Sequence, residues 1–457
     1  MKILKFGGSS LKTTERIEHV VCLIAAEHPC GVVVSAFGGV TDQLIELINL
    51  AESGLDYNDV LNAFLDRHLE TVSGLQLLTN LDSIHKSIQT IGNELQQSLK
   101  IISDKKQDTP KLKDTVLSAG ERFSANIIRE ACIENGLNAD YLDARKVIVT
   151  DDHFGSAFVH YQKSYNNIRN EWIDKSKTRI ITGFIGATES GETTTFGRSG
   201  SDYTAAIFGA ALHVDEVEIW TDVNGILSAD PNVVPNAKTI LNITYEEAME
   251  LAHAGAKVIF PPTMIPALYK SIPIRIRNTF EPGNPGTVIT QNRETDNNFA
   301  VGISSLYNVS LIRFQGAGMV GRYGVIGRVF EALAQKKINI ILVSQVFSEH
   351  SICFAIQPSE VGKAETLLKE EFTFELENRF IDSIKIENDL SLIAVVGEGM
   401  RHTPGISGKL FSVLGEQNVN VIAIAQGSSE RNISFIIKND EVKSAIRSLH
   451  NYIFSDY

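Results

Sequence analysis

An internal repeat in the last third of the chain constrains its fold more than any other feature. Residues 310–356 align without gaps with residues 391–437 at a constant offset of 81, and more than a third of the 47 aligned positions are identical. Two unrelated segments would not keep register over this length, so the repeat indicates a duplicated unit. Each copy has the pattern strand, glycine turn, helix, strand, hairpin turn, strand. This order predicts a split βαβ module, a type of binding module without catalytic residues.

The two copies differ at their ends. The first copy continues with a helix and a further strand by residue 386, whereas the second reaches residue 457 after one more helix. We therefore expect the segment FAVGISS (299–305) to supply the missing strand, which would nest one module inside the other. A stretch rich in proline and asparagine, 280–299, is typical of a linker. The expected boundaries are a first domain at 1–290, a linker at 291–308, and two modules at 309–386 and 387–457.

The first 290 residues have a pattern of alternating strands and helices. Short apolar segments such as GVVV (31–34) run into glycine turns, and amphipathic segments follow them. This alternation predicts an α/β domain with a mostly parallel sheet between helices. The pattern predicts a polar helical cover over 52–108, and a short strand, a turn and a helix over 114–136. In such sheets ligands bind beyond the carboxyl ends of the strands, where the glycine turns lie.

Composition and charge exclude several classes of function. A length of 457 residues is too great for one ordinary core, so two or three domains are expected. The net charge of −13 disfavours nucleic-acid binding, which needs a basic face. No apolar run approaches the roughly 20 residues of a membrane span, and the start of the chain lacks a signal-peptide pattern. Four cysteines without a CxxC pair are typical of a reducing cytoplasm, and no metal-binding motif is present.

The segment KFGGSS (5–10) places a lysine at a strand end, with two glycines behind it. Strand, glycine turn and helix can bring backbone N–H groups onto a phosphate, but Gly-Gly is also common in simple tight turns. The spacing fits neither the dinucleotide motif nor the Walker loop, because Lys5 precedes Gly7 and Gly8. Burying Lys5 without an anion would be costly, which favours the phosphate interpretation.

Two further motifs carry charged residues next to a helix start. In FGRSGSDYTAA (196–206), a well-capped helix explains Ser201 and Asp202 but leaves Arg198 unexplained. A guanidinium in a glycine frame can clamp a carboxylate. In SAGERFS (118–124), Glu121 is either a capping acid of the following helix or an acceptor for an ammonium group.

Three other turns have the same arrangement. SAFGGVTD (35–42) adds the hydroxyl of Thr41, WTDVNG (220–225) places Thr221 and Asp222 at a strand end, and GAKVIFPPT (255–263) puts Lys257 at the start of another expected strand. A single turn of this kind is weak evidence, since Asp-Val-Asn-Gly is also a good β-turn. Together, the turns and their charged residues predict a site for a nucleotide and a zwitterion.

The ordered set KFGGSS, SAFGGVTD, SAGERFS, FGRSGSDYTA, IWTDVNGI and GAKV, followed by two tandem modules, resembles the aspartokinases of the amino-acid-kinase fold. The repeat resembles a pair of ACT domains, and its second copy is most similar to the kinase portion of the threonine-regulated aspartokinase I–homoserine dehydrogenase I type. The resemblance implies phosphorylation of the side-chain carboxylate of L-aspartate by ATP with Mg²⁺, under feedback control. This reaction is the first step toward lysine, threonine and methionine.

The resemblance also implies roles for individual residues and partners. Lys5 and Asp202 would serve the phosphoryl transfer itself, and Gln345 and Gln426 would bind the effector. Threonine is the first choice of effector and lysine the second, and pairing of ACT modules implies a homodimer or homotetramer. Aspartate would be held by Thr41, Glu121, Arg198 and Ser201, and ATP by Lys5, Gly7, Gly8, Ser9, Thr221, Asp222, Lys257 and Val258.

Four positions depart from the aspartokinase pattern. Leu227 and Asn232 stand where the family often has Tyr and Arg, and Phe260 and Pro262 stand where it usually has His and Arg. These departures concern the adenine and phosphate contacts of the nucleotide. Two alternatives stay open, a kinase of another small carboxylate or of carbamate, and a degenerate kinase that serves as an amino-acid sensor. For Gln345 and Gln426, the alternative is that they merely end strands.

Overall fold

The chain divides into two compact units. The computed structural model describes residues 1–105, 110–256, 258–293, 298–319, 323–345 and 351–454. The first unit contains Met1–Ile226, Leu241–Tyr245 and Val258–Arg293, and the second contains Leu227–Ile240, Glu246–Lys257 and Glu294–Tyr457. In the described part of the chain, no helix combines the length and the apolar character needed to cross a membrane.

The first unit is built on a mostly parallel sheet, as predicted. Its strands are β1 Lys2–Phe6, β2 Gly31–Val34, β3 Ala139–Leu142, β4 Val149–Thr150, β5 Thr178–Thr182, β6 Ile185–Thr188, β7 Thr193–Thr195, β8 Glu216–Thr221, β9 Asn242–Thr244, β10 Ile274–Asn278 and β11 Thr287–Thr290. An eight-stranded sheet has the order β3-β5-β2-β1-β8-β10-β11-β9, and β4, β6 and β7 form a second sheet. Within the large sheet, only the β10–β11 pair is antiparallel among the described strands.

The central strands are apolar because both faces of the sheet are covered. In β1, Ile3, Leu4 and Phe6 are fully buried, as are the valines of β2. Lys5 interrupts this apolar run one residue before the strand ends. It is aligned between Val33 of β2 and Ile219 of β8. The sheet therefore holds Lys5 at the carboxyl end of a central strand, as the sequence predicted.

Helices cover this sheet. The helices up to residue 268 are α1 Thr14–Ala26, α2 Val40–Glu52, α3 Asn58–Gly74, α4 Leu81–Lys105, α5 Pro110–Glu134, α6 Tyr161–Glu171, α7 Gly200–Leu212, α8 Tyr245–His253 and α9 Pro261–Leu268. Of these, α8 belongs to the second unit from Glu246 onward. Apolar side chains of α1 to α5 share one core with β1 and β2. The helical cover predicted over 52–108 is confirmed by α3 and α4, for the described residues.

The strand predicted near residue 114 is wrong. Residues Pro110–Glu134 form one continuous helix of 25 residues. Most side chains between Val116 and Cys132 are buried, so the apolar residues do not form the single stripe by which a surface helix is recognised. Gly120 suggested a turn, but it serves close packing instead. A Cβ at Gly120 would lie 2.7 Å from the Cβ of Ala36.

The second unit contains an antiparallel sheet with the order β13-β14-β12-β15-β17-β16. Both copies of the repeat have the same elements, and α10 and α13 begin at equivalent positions directly after Gly324 and Gly405. The elements are β12 Gly302–Gln315, α10 Val325–Gln335, β13 Ile340–Gln345, β14 Ser351–Ile356, α11 Val361–Glu371, α12 Thr373–Glu377, β15 Ser383–Val396, α13 Ile406–Glu416, β16 Ala423–Gln426, β17 Asn432–Lys438 and α14 Val442–Phe454.

The long strands β12 and β15 run through both copies. Residues 302–306 of β12 pair with 392–396 of β15, at the position where the second copy needs a further strand. The Val301 N–H also donates to the Val396 carbonyl at 2.7 Å. The other half of β12 pairs with residues 383–387, the last strand of the first copy. Each long strand therefore gives one half to each module.

Two segments from the first 290 residues pack within the second unit. Ser228 Oγ lies 2.9 Å from Nε2 of His450 on α14. On α8, Glu250 Oε2 accepts a hydrogen bond of 2.7 Å from Nδ2 of Asn432. Segments 227–240 and 246–257 therefore contribute to the same compact unit as the repeat.

Candidate active site

The loops that carry the sequence motifs leave the large sheet at one edge. Strands β1, β2, β8 and β10 are parallel neighbours, so their carboxyl ends lie together. The loops behind them are tied by backbone bonds, since the Ser35 N–H donates to the Phe6 carbonyl at 3.1 Å and the Thr279 N–H to the Thr221 carbonyl at 2.8 Å. This edge is where ligands bind in open α/β sheets.

Lys5 and Asp202 form an ion pair at this edge. Lys5 Nζ lies 2.6 Å from Asp202 Oδ1, and only 12% and 10% of the two side chains are exposed. Asp202 stands in the first turn of α7, where the helix dipole favours a negative charge. A Cβ at Gly7 would lie 3.4 Å from Lys5 Nζ. The ammonium group is therefore next to the glycine turn, and Asp202 compensates the cost of burying it.

Two glycine loops touch each other through their backbones. The first loop is formed by residues 7–9, after β1. The second is formed by residues 35–39, after β2, and only this second loop is called the FGG loop here, after Phe37, Gly38 and Gly39. A Cβ at Gly8 would lie 3.0 Å from the Ala36 carbonyl oxygen, and a Cβ at Gly38 would lie 2.8 Å from the Gly8 carbonyl oxygen. Any side chain at these positions would push the loops apart. Thr41 follows the FGG loop in the first turn of α2, where its side chain is exposed.

Glu121 lies in the middle of α5, which excludes its interpretation as a capping acid. Its side chain is buried, with the residue 5% exposed, and its carboxylate accepts a hydrogen bond from the Ala36 N–H of the FGG loop. Burial raises the pKa of Glu121 to about 8, and the nearby charge of Lys5 offsets this only in part. The acid is therefore mostly protonated at pH 7, and an ammonium group beside it would favour the ionised form.

The loop before α7 contains backbone conformations that the sequence did not reveal. Ser199, not Ser201, is the N-cap of α7, and its φ of 56° is left-handed. Ser201 is buried against Gly183, where a Cβ would lie 2.5 Å from Ser201 Oγ. The next residue, Phe184, has a φ of 71°. Strained residues of this kind cluster at functional sites, so Phe184 and Ser199 join the candidate residues.

Asp114 supports the same region from α5. Its buried carboxylate accepts hydrogen bonds from the Thr195 N–H, the Thr195 hydroxyl and the Gly155 N–H, at 2.9, 2.9 and 2.8 Å. Burial raises the pKa of Asp114. Since Thr195 ends β7 directly before the Arg198 loop, Asp114 fixes the start of that loop. The sequence pattern gave no sign of this role, because it predicted a strand at residue 114.

Most of the residues predicted to hold the nucleotide lie at the ends of β1 and β8 or in the loops that follow these strands. Gly7 precedes a short 3₁₀ helix that runs from Gly8 through Ser9 to Leu11. Thr221 ends β8, and its hydroxyl donates to Asp222 Oδ1 at 3.2 Å. The Gly7 N–H donates to the carbonyl of Trp220, the residue before Thr221, at 3.4 Å. The two predicted nucleotide loops are therefore in direct contact.

The strand predicted at residue 257 is wrong for the residues that can be described. Lys257 itself lies outside the described residues, Val258 lies in a turn, and α9 begins at Pro261. Two consecutive prolines at the first positions of a helix lack N–H groups that a strand would need for pairing, and they fit the first helical turn.

Gln345 and Gln426 end equivalent edge strands of the second unit. Gln345 pairs with Ile352, and Gln426 pairs with Ile433. Both glutamine side chains are exposed. The Ser-Glu pair at 429–430 follows β16, whereas the pair at 348–349 lies outside the described residues.

Comparison with known proteins assigns both units to families. Residues 1–278 match the amino acid kinase family, and residues 312–372 and 393–452 match the ACT domain. The chain is 32% identical over 466 residues to aspartokinase 1 of Arabidopsis thaliana chloroplasts, which covers 99% of this chain and 80% of that protein. The chain belongs to the aspartokinase family. It is also 33% identical over 463 residues to the bifunctional aspartokinase/homoserine dehydrogenase of Haemophilus influenzae, and it spans 57% of that longer relative.

Solved aspartokinase structures have the same fold over the whole chain. Clostridium acetobutylicum aspartate kinase is 29% identical with a TM-score of 0.86, and 99% of this chain and 100% of that one are covered. E. coli aspartokinase III, solved with aspartate and ADP, is 29% identical with a TM-score of 0.80 and the same coverage. A second structure of that enzyme contains lysine and aspartate, with a TM-score of 0.79.

The four departures from the aspartokinase pattern lie in different places. Leu227 forms an isolated bridge with Thr239, and both belong to the second unit, as does Asn232. Pro262 is in the first turn of α9. Phe260 precedes that helix, and its ring centre lies 5.7 Å from the guanidinium carbon of Arg198. The aromatic residue at 260 is therefore next to Arg198, to which the family resemblance gives a role in aspartate binding.

Proposed function

We propose that the protein is an aspartate kinase, which transfers the γ-phosphoryl group of ATP to the side-chain carboxylate of L-aspartate and forms 4-phospho-L-aspartate and ADP. The observation that carries this proposal is the buried Lys5–Asp202 pair at the end of a central strand, flanked by two glycine loops. The structure of a relative with aspartate and ADP supports the same pair of ligands.

The chemistry asks little of the protein beyond position and charge. The aspartate side chain is already an anion at pH 7, so its attack on phosphorus needs no general base. The difficulty is to bring two anions together. Lys5, held by Asp202, places a cation at the strand end where the phosphoryl group would pass, and it would stabilise the transition state there.

The aspartate subsite lies on the side of the FGG loop. Glu121 would accept the substrate ammonium group, and losing its proton to solvent would turn a neutral acid into a counter-ion. Arg198, exposed in its loop, would bind a carboxylate through its two-pronged guanidinium. Ser201 and Thr41, each at the start of a helix, would add hydroxyl groups.

The nucleotide would lie over the loops that follow β1 and β8. Gly7, Gly8 and Ser9 would approach its phosphates, and Thr221 and Asp222, with Lys257 and Val258, would line the rest of the site. ATP would enter as its Mg²⁺ complex. No group of three or more His, Cys, Asp or Glu in the described part of the chain is placed to hold a metal ion. Mg²⁺ commonly binds through the substrate phosphates with few protein ligands, so the ion would arrive with the nucleotide.

The two ACT modules, 309–386 and 387–457, would bind an amino-acid effector through Gln345 and Gln426. Threonine is the first candidate and lysine the second. A solved structure of a relative contains lysine, which supports lysine as a candidate. Feedback would then require the effector to bind one conformational state better than another. We further propose a homodimer or homotetramer in the cytoplasm, acting at the first step toward lysine, threonine and methionine.

A phosphoryl-transfer assay tests the proposal. The purified chain, MgATP and L-aspartate should release ADP only when aspartate is present, and hydroxylamine should trap an equal amount of aspartyl hydroxamate. Trapping identifies an acyl phosphate, whereas simple ATP hydrolysis gives none. Threonine and lysine are then titrated separately, and the one that inhibits at the lower concentration is the effector.

The alternatives give different results in the same assay. Turnover with another carboxylate or with carbamate, but none with aspartate, would identify a kinase of a different substrate. Binding of threonine or lysine without any turnover would identify a degenerate kinase that acts as a sensor. Either result would overturn the proposal.

A further inference from the structure

Helix α3 holds the FGG loop from outside the site. Arg67 Nη2 donates to the Gly38 carbonyl oxygen at 2.7 Å, and Arg67 Nη1 donates to Gln43 Oε1 on α2 at 3.4 Å. The guanidinium thus bridges the FGG loop and the helix that follows it. A hydrogen bond from a charged donor is stronger than one between neutral groups, so Arg67 is a firm anchor for this carbonyl.

This contact fixes the direction of a whole peptide group. In a planar trans peptide, the carbonyl of one residue and the N–H of the next point in opposite directions. Because the Gly38 oxygen faces Arg67, the Gly39 N–H is turned away from Arg67. Gly39 is the N-cap of α2 and has a φ of 83°, so the same peptide stands at the positive end of that helix. An anion at this position would be stabilised by both features.

The residue after Arg67 supports the other part of the same loop. His68 is fully buried, its ring stacks on Phe37 with 5.4 Å between centres, and its Nδ1 donates to the Phe64 carbonyl at 2.7 Å. The His68 ring also lies 4.6 Å from that of Phe123, which is two residues from Glu121 on α5. Consecutive residues of α3 therefore hold the FGG loop at Phe37 and at Gly38.

We propose that Arg67 is a positioning residue for the aspartate subsite, acting through the Gly38–Gly39 peptide. It sets the direction of the Gly39 N–H, which binds a carboxylate of the substrate. This inference rests on the proposed aspartate kinase activity. Arg67 itself does not contact the substrate, so its loss changes aspartate affinity and leaves the Lys5–Asp202 pair in place.

The test compares Arg67→Gln and Arg67→Lys with a matched control, Arg169→Gln. Arg169 Nε donates to the Ala211 carbonyl at 2.7 Å, at the opposite end of α7 from Asp202, so the control loses the same kind of bond elsewhere. The KM for aspartate should rise about 10-fold or more in Arg67→Gln, because the lost bond is charge-assisted. The KM for ATP should stay within about twofold of the wild-type value. Arg67→Lys, which retains a charged donor without the fork, should be intermediate.

Four results would decide between the inference and its alternatives. A KM for aspartate that is unchanged in Arg67→Gln, or that changes equally in Arg169→Gln, would overturn the inference. Equal losses for aspartate and ATP would show a general effect on the fold, which thermal unfolding of each variant reports independently. If the wild-type chain fails to phosphorylate aspartate, the proposed function is at fault instead, so the two failures are distinguishable.

Discussion

Replacement of Glu121 by Gln should stabilise the first unit while it weakens aspartate binding. The pKa of Glu121 is raised from 4.5 to about 8 by burial, so keeping the acid in its buried place costs folding energy at any pH above 4.5. One pKa unit is worth about 1.4 kcal/mol, which gives a cost of about 3 kcal/mol at pH 7. Glutamine does not ionise in this pH range, so its burial has no such cost, and its Oε1 can still accept a hydrogen bond from the Ala36 N–H.

The sign of the pH dependence is specific. Glu121 is an acid whose pKa is higher in the folded state than in the unfolded state. The free energy of unfolding is therefore highest below the unfolded pKa and decreases as the pH rises toward the folded pKa. The gain in unfolding free energy from Glu121→Gln should therefore be near zero at pH 4.5 and increase by about 1.4 kcal/mol per pH unit up to pH 8. The KM for aspartate should rise in the same variant, because the counter-ion for the ammonium group is gone.

Urea unfolding followed by tryptophan fluorescence measures this effect. The chain has two tryptophans, Trp172 and Trp220, and both are buried in the first unit, so the signal reports on the unit that contains Glu121. Glu46→Gln, at an exposed site on α2, is the matched control for the loss of a carboxylate. A stability difference for Glu121→Gln that is absent, or that does not change between pH 5 and pH 8, would refute the reasoning.

Three further predictions concern single side chains. Lys5→Ala should lower kcat by about 10³-fold while calorimetry still detects aspartate binding, and near-normal turnover would contradict the role of Lys5. Burial lowers the pKa of His68 to about 4, so protonation of His68 in the unfolded state alone should cost the wild type about 2 kcal/mol of stability between pH 6.5 and pH 5, a loss that opposes the gain from Glu121 over the same range. A His68→Leu variant should lack this loss, as urea unfolding at each pH would show. Phe260→Leu removes the ring next to Arg198 and should raise the KM for aspartate about threefold, whereas a rise in the KM for ATP alone would place Phe260 with the nucleotide.

The large features of the fold could be predicted because they leave patterns in the order of residue types. The valines of β2 are typical of a buried parallel strand, and the repeat at an offset of 81 residues predicted two equivalent modules. The first part of helix α5 was predicted as a strand and a turn, because a helix buried on most sides has no continuous polar face to mark its period. The turn at residues 258–260 was missed for a related reason, since a short apolar run fits a strand as well as a turn before a helix.

The candidate site was predictable only where side chains act directly. Lys5, Glu121 and Asp202 are ionisable residues within short motifs rich in small residues, and the structure brings Lys5 to both acids. Arg67 gave no signal, because its partner is a backbone carbonyl that any residue could offer. Phe184 is unusual only in its backbone torsion, which its residue type does not report.

The strands shared by the two modules limit how these modules can be separated or exchanged during evolution. Since β12 and β15 each serve both copies, a deletion that ends between the copies would leave half of a long strand without its neighbour. The modules therefore cannot be exchanged one at a time, unlike independently folded tandem domains. A recombination event or a designed chimera would have to transfer residues 299–454 together. Descendants of this duplication would therefore keep both sensors together, even where selection acts on only one of them.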